Sequence, residues 1–215
     1  GGGIPDNKNF KAVLTGGPSG GCIPADYLDT PIDFDNLNAL GSMMGSGGML
    51  ILDETDCMVD IAKFFLGFTV EESCGKCTPC RIGNKRLLEI LTKITDGKGC
   101  EQDLIDLENL SKTIVSTSLC GLGKSAPNPV LSTLNYFYDE YKAHVVDKKC
   151  PSGKCQALLN FVITDSCIGC TKCSKICPAG CITGKVKEKH EIDITKCLKC
   201  GACMDNCKFN AIIKK

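Results

Sequence analysis

The stretch CIGCTKCSKICP (167–178) returns thirty residues later as CLKCGACMDNCK (197–208), and this repeat decides how the last quarter of the chain must fold. Cys167, Cys170, Cys173 and Cys177 follow the spacing C-x2-C-x2-C-x3-C, and Cys197, Cys200, Cys203 and Cys207 follow it again. Three thiols within seven residues crowd onto one short loop. That suits an iron–sulfur cube better than zinc fingers, whose C-x-x-C pairs stand further apart, or disulfides, which a reducing compartment disfavours. The flanks repeat as well. Val162 and Thr164 precede the first run as Ile192 and Ile194 precede the second, and Ile182 follows the first as Ile212 follows the second. Each half reads as a short strand, a ligand loop, a turn and a return strand, which together predict a pseudo-twofold α+β unit.

The doubled run resembles the two-cluster bacterial ferredoxins. The resemblance implies that the fourth cysteine of each run crosses to the other cube. One [4Fe-4S] cluster then takes Cys167, Cys170, Cys173 and Cys207, and the other takes Cys177, Cys197, Cys200 and Cys203. Lys208 stands where that family usually has a second proline. The change removes a turn constraint but no ligand.

Working outward, the chain has 215 residues and 43% hydrophobic content, enough for one or two compact domains. No stretch approaches the ~20 consecutive apolar residues of a membrane span, and residues 1–30 lack the order of a signal peptide. Eighteen cysteines without a secretion signal point to metal in a reducing, cytoplasmic setting. The net charge of zero hides an asymmetry: residues 1–142 carry 12 Lys and Arg against 19 Asp and Glu, net −7, and residues 143–215 carry 13 against 6, net +7. Three oxidised cubes, each with four thiolates, bring the loaded chain to about −6. The lysines Lys185, Lys187, Lys189, Lys196 and Lys199 are therefore expected as a solvated face that offsets the cofactors. Nucleic-acid binding is not expected, because the basic segment carries no interleaved aromatics and no binding motif.

The middle of the chain has helical period. Met58, Ile61, Phe65 and Phe68 form one stripe; Leu87, Leu91 and Ile94 a second; Leu104, Leu107, Leu110 and Ile114 a third; Val130, Leu134, Phe137 and Tyr141 a fourth. Gly97 and Gly99 close the second, and Pro127 and Pro129 open the fourth. A four-helix bundle is the simplest assembly of such elements. EESCGKCTPCR (71–81) lies between the first two helices and SLCGLGKSAPNP (118–129) between the last two. Cys74, Cys77 and Cys80 on one loop with the distant Cys120 are the ligands a [4Fe-4S] cube needs at one end of a bundle. Lys76 and Arg81 beside them favour an added electron. The competing reading makes Cys120 a buried core thiol.

ESCGKCTPCR followed by SLCGLGKSAPNPV looks like the cluster domain of the NADH-oxidising flavoprotein subunit of respiratory complex I, and TGGPSGGCIP and GSMMGSGGMLILDE resemble the end of that family's ubiquitin-like (β-grasp) domain. With the appended double-cluster region, the chain resembles the flavoprotein subunit of NAD(P)-linked, electron-bifurcating [FeFe]-hydrogenases and related formate dehydrogenases. The resemblance implies a partial ubiquitin-like segment over 1–52, a four-helix bundle with one cluster over 53–146, a linker over 147–160 and a two-cluster ferredoxin domain over 161–215. It places FMN and NAD(P) in an N-terminal half. Nothing here supplies that half: the glycines of GSMMGSGG (41–48) read as a loop rather than a phosphate cradle, and the opening Gly1-Gly2-Gly3 suggests a truncated chain.

Six cysteines remain. Cys22 and Cys57 read as buried thiols, and Cys100 as a packed thiol at a helix start. Cys150 and Cys155 flank a Pro-Ser-Gly turn with His144 upstream, which gives three ligands of a closed zinc site; Cys181 is expected as the fourth, clamping the linker onto the ferredoxin unit. His190 is the alternative ligand, but its charged turn KVKEKHE favours a solvated residue. Free thiols and a redox-active Cys150/Cys155 pair are the competing readings.

The expected role is single-electron relay within a multisubunit oxidoreductase, with no catalytic residue here and no NADH oxidation by the isolated chain. Expected partners are a thioredoxin-like [2Fe-2S] subunit and a catalytic hydrogenase-type subunit, with soluble ferredoxin as a further candidate. Two other classes of function compete: an assembly module with structural clusters, and an enzyme that takes up flavin.

Overall fold

The computed structural model describes residues 3–214, a mixture of helices and small sheets that divides into two compact units, one running to Leu158 and the other starting at Leu159. The first unit begins with a three-stranded antiparallel sheet. β1 (Phe10–Thr15) lies between β2 (Gly21–Pro24) and β3 (Met49–Asp53), with Val13 opposite both Ile23 and Ile51. Strand alternation gives β1 two buried faces. Ala12 and Leu14 pack with Cys22, Leu52, Met58 and Phe65, and Val13 packs with Ile23 and with Leu37 of α1 (Phe34–Ala39). Asp33 starts α1 as an N-cap, accepting from the Asn36 N–H at 2.8 Å. At the edge, β3 leaves Met49, Leu50 and Ile51 exposed.

Helices follow: α2 (Met58–Glu72), α3 (Asn84–Thr95), α4 (Glu101–Thr117), α5 (Gly121–Ser125), α6 (Asn128–Tyr136) and α7 (Tyr138–Val145). α2 buries two stripes. Met58 and Phe65 face the sheet, while Val59, Ala62 and Leu66 enter a larger core with Leu87, Leu91, Ile94, Leu104, Leu107, Ile114, Val130 and Leu134. Phe68, expected on the buried stripe, is instead exposed. The expected fourth helix is divided at Phe137, which leaves the helical region at φ −126°, ψ 35°. The two pieces stay joined through the fully buried Tyr141, whose hydroxyl lies 2.8 Å from Thr133 Oγ1. α4 starts with Asp103 accepting from the Cys100 N–H at 2.7 Å while pairing with Lys93 at 2.8 Å.

The segment 147–160 is not a bare linker. Cys150, Cys155 and Leu158 are buried in the helical core of the first unit, because the turn at 151–153 folds the chain back onto it.

The second unit pairs strands across the sequence repeat. β4 (Phe161–Ile163) runs antiparallel to β7 (Ile212–Lys214), and β5 (Ile182–Thr183) to β6 (Glu191–Ile192). The opening strand of the first half thus meets the closing strand of the second. One-turn helices α8 (Lys172–Ile176) and α9 (Ala202–Asp205) follow corresponding positions of the two loops. Phe161, Ile163, Ile182 and Ile212 form the small core with Cys181 and Cys203. Among the described residues no helix is long and apolar enough to cross a membrane.

Leu91 is fully buried in the first unit's core. Leu91→Ala is expected to destabilise that unit by about 2–5 kcal/mol, while Ile105→Ala on the exposed side of α4 stays within about 0.5 kcal/mol. Denaturant unfolding of the metal-loaded chain checks both.

Candidate metal and cluster sites

In the second unit the strand pairing brings each ligand loop next to the tail of the other. One cavity of about 250 Å³ is lined by Cys167, Cys170, Cys173 and Cys207. A tighter one is lined by Cys177, Cys197, Cys200 and Cys203, together with Cys181. Each gathers three thiols from one loop and the last cysteine of the other run, the second cavity adding Cys181. Cys173 and Cys203, the third cysteine of each run, are the more deeply placed, and burial pushes both thiols up. The Cys207 sulfur accepts from the Ala211 N–H at 3.4 Å, and the Cys197 sulfur from the Lys199 N–H at 3.4 Å. Backbone donation of this kind stabilises thiolate over thiol, the form that binds iron.

Cys181 stands 3.4 Å from Cys177, sulfur to sulfur. Burial, reinforced by Cys177, pushes the Cys181 thiol up to about 12; burial opposes ionisation of Cys177 too, yet the N–H and thiol of Cys181 hold it below its usual range. Cys181 is thus a thiol neighbour of Cys177 that shares a hydrogen bond with it.

In the first unit, α2 ends at Glu72 and the chain turns through Cys74 and Cys77 into a wide helical turn (Pro79–Gly83) that carries Cys80 into α3. The segment after α4 returns to the same place. Foremost the Leu119 N–H, and then that of Cys80, hold the Cys77 thiol below its usual range. A Cβ on Gly123 of α5 would stand 3.2 Å from that of Cys80 and 2.6 Å from that of Ser118, so α5 packs closely against the triad loop. Cys80 is buried, with Ser73 Oγ at 3.3 Å and Asn84 Nδ2 donating at 3.5 Å; Cys74 and Cys120 are exposed, and Arg81 donates to the Gly75 carbonyl. The donor set fits a cube: three thiols on one loop lie beside the segment that leads into Cys120, and the buried hydroxyl of Ser118 has no partner among the described residues.

A further group closes within the first unit. Cys57, His144, Cys150 and Cys155 are all buried, and their ligand atoms lie within 4.8 Å of one another. His144 Nε2 lies 3.3 Å from Cys57 Sγ and 3.4 Å from Cys155 Sγ, and Cys155 Sγ lies 3.7 Å from Cys57 Sγ. A tetrahedral ion with bonds of about 2.3 Å to sulfur separates its ligands by about 3.8 Å, so the spacing fits one small ion. His144 Nδ1–H donates to the Glu140 carbonyl at 2.7 Å, which leaves Nε2 free to ligate and fixes the ring. Cys150 is drawn down by donation from Cys155 and Cys57, both of which are pushed up, Cys155 to about 12; burial opposes a charge on His144, but Cys150 raises it to about 10. Three thiols and an imidazole share protons here, which a divalent cation would displace.

Two expectations change at this site. Cys181 is not the fourth member, since it packs against Cys177 in the second unit; Cys57 takes that place from the N-cap position of α2. The buried, apolar surroundings of Cys57 hide this role in the sequence, and its 87-residue separation from His144 gives no local pattern. His190 is not solvated but completely buried, although residues 183–189 before it are exposed. Cys22 is buried and its thiol pushed up to about 12 by that burial, whereas Cys100 is exposed and caps α4.

Residues 60–144 match the family described as the NADH-ubiquinone oxidoreductase-F iron-sulfur binding region, and residues 166–211 match the 4Fe-4S dicluster domain. The chain is 58% identical, over its whole length, to 44% of the NADP-reducing hydrogenase subunit HndC of Solidesulfovibrio fructosivorans. It is 42% identical over 70% of its length to 36% of the NADH-quinone oxidoreductase F 2 polypeptide of Rhizobium meliloti. The solved NAD+-reducing [NiFe]-hydrogenase in the H2-reduced state superposes with a TM-score of 0.58 and 31% identity, over 64% of this chain and 24% of that one. The chain therefore spans less than half the length of these relatives.

Proposed function

We propose, for a chain that carries the iron–sulfur electron-transfer region of NADH-quinone oxidoreductase F and HndC-type hydrogenase subunits, that it relays single electrons through three [4Fe-4S] clusters between a flavin and nicotinamide site elsewhere in the subunit and a partner hydrogenase or ferredoxin. Cys74, Cys77, Cys80 and Cys120 hold one cluster; Cys167, Cys170, Cys173 and Cys207 the second; Cys177, Cys197, Cys200 and Cys203 the third. The observation that carries the reading is the exchange of ligands in the second unit, where Cys207 lines the cavity of the first loop and Cys177 that of the second.

The clusters supply reversible one-electron storage. The chain supplies deprotonated sulfur, N–H donors that steady it, and burial that keeps water away from Cys80 and Cys203. No side chain acts as acid, base or nucleophile. The sheet of the first unit is the remainder of a β-grasp domain, and its four longer helices form a bundle. In the assembled enzyme the partners are a thioredoxin-like [2Fe-2S] subunit and a hydrogenase-type catalytic subunit, in the cytoplasm.

Cys57, His144, Cys150 and Cys155 hold one structural zinc ion. With four protein ligands the site is closed to substrate, so its role is to tie the start of α2, the end of α7 and the 150–155 turn together.

Anaerobically prepared chain is expected to contain about twelve iron and twelve sulfide, and to give paramagnetic signals after dithionite reduction. Full iron with no reducible cluster would instead make the clusters structural, and absent iron would end the reading. Metal analysis of variants separates the zinc ligands: Cys57→Ala is expected to lower zinc from one per chain to near zero with iron retained, whereas Cys181→Ala keeps both. Equal zinc in the two variants would remove Cys57 from the site.

A further inference from the structure

His190 belongs to none of the ligand sets, yet it is one of the largest fully buried side chains of the molecule. Its burial is built into the backbone. The ring packs on Gly184, where a Cβ would stand 2.6 Å from its Cγ. The turn that leads to it is fastened to the first ligand loop, since the Lys187 N–H donates to the Gly169 carbonyl at 3.0 Å. Gly169, at φ +69°, permits this approach; a Cβ there would stand 2.4 Å from the Glu188 nitrogen.

The two ring nitrogens have different surroundings. Nδ1 lies 3.1 Å from the Glu188 carbonyl, which can only accept, so Nδ1 carries a proton. Nε2 is buried and has no partner among the described residues. His190 lines the same cavity of about 250 Å³ as Cys167, Cys170, Cys173 and Cys207. A buried polar atom without a partner costs free energy, and what occupies this cavity is the one neighbour left to relieve it.

We propose that His190 Nε2–H donates a hydrogen bond to a sulfur of the cluster held by Cys167, Cys170, Cys173 and Cys207, and thereby makes that cluster easier to reduce than its neighbour. The inference rests on the cluster assignment given above. With Nδ1–H committed to Glu188, donation from Nε2 calls for a proton on each ring nitrogen, the second of them aimed at cluster sulfur as its acceptor. Hydrogen bonds to cluster sulfur are one of the means by which a protein sets a cluster's potential, and a donor to sulfur favours the added electron. Among the described residues the second cavity is lined by no imidazole. His190 lies between β5 and β6, in the connection between the halves, and the other cavity is lined by Cys181 and by apolar side chains such as Phe161, Ile182 and Leu198. The sequence repeat thus carries two inequivalent electron sites, with the first electron resting on the cluster of the first loop.

The decisive measurement uses the unmodified chain. It is grown with ring-15N histidine, reduced by one electron in the second unit, and examined by pulsed paramagnetic resonance. A ring nitrogen coupled to one ferredoxin-type cluster is expected, and it should be absent in His190→Gln, which leaves His144 labelled. In a redox titration followed by the same signals, His190→Leu should show about a tenfold smaller ratio of reduced to oxidised form for that cluster at fixed potential, a downward shift of about 59 mV for one electron. His190→Gln, which keeps an N–H donor, should recover part of it. Cluster signals of full intensity with no coupled ring nitrogen would overturn the proposal even if both variants failed to load. Absence of any iron–sulfur signal from the unmodified chain would overturn the cluster assignment together with it.

Discussion

Sulfur ligands that are distant in sequence must converge on common points, and the rest of the architecture is arranged to let them. The second unit shows why. It begins at Leu159, offers four short strands in two pairs among the described residues, and has a core built around Phe161, Ile163, Ile182 and Ile212. So small an apolar core buries too little surface to offset the chain entropy of its loops, and domains of this size ordinarily rely on metal or disulfide cross-links. Strand pairing across the repeat, β4 with β7 and β5 with β6, carries Cys207 to the first loop and Cys177 to the second. Folding and ligand placement are there the same event.

The first unit divides these tasks. Its helices share a continuous core through Leu66, Leu87, Leu91, Leu107 and Val130, so metal is not its sole source of order. The proposed ligands sit instead where helices stop. Cys57 is at the start of α2, Cys80 precedes α3, Cys120 precedes α5, and His144 is in the last turn of α7. The Leu119 backbone, between α4 and α5, holds the Cys77 thiol below its usual range.

Charge is distributed to suit cofactors that add negative charge. The exposed lysines of the 185–189 turn precede the buried His190 in sequence; Lys189 pairs with Asp165 at 2.6 Å, and Lys196 with Asp193 at 3.3 Å. Exposed pairs of this kind contribute little to stability, so their contribution is to the local potential. Cys181 and His190 act at shorter range. One is held 3.4 Å from a ligand of the second loop's cavity and the other lines the first loop's cavity, which makes the two halves chemically unlike in spite of the repeat.

The sequence by itself singled out the cysteines proposed to bind iron, because ligand loops are local: three cysteines within seven residues, with proline and glycine beside them, admit few other chemistries. It also determined the apolar periods of α3 and α4, since an amphipathic helix records its buried face every three to four residues. Only the tertiary structure decided which residues stand beside those ligands. The fourth member of the His144 group is Cys57, the strand β3 completes the first sheet, the helix expected around Phe137 is divided, and His190 is enclosed though its turn is charged. In each case the deciding neighbour is far along the chain or is backbone without a side chain, such as Gly184 against the His190 ring. Local composition records the period of an element, but it carries no trace of what a distant segment will bring against it.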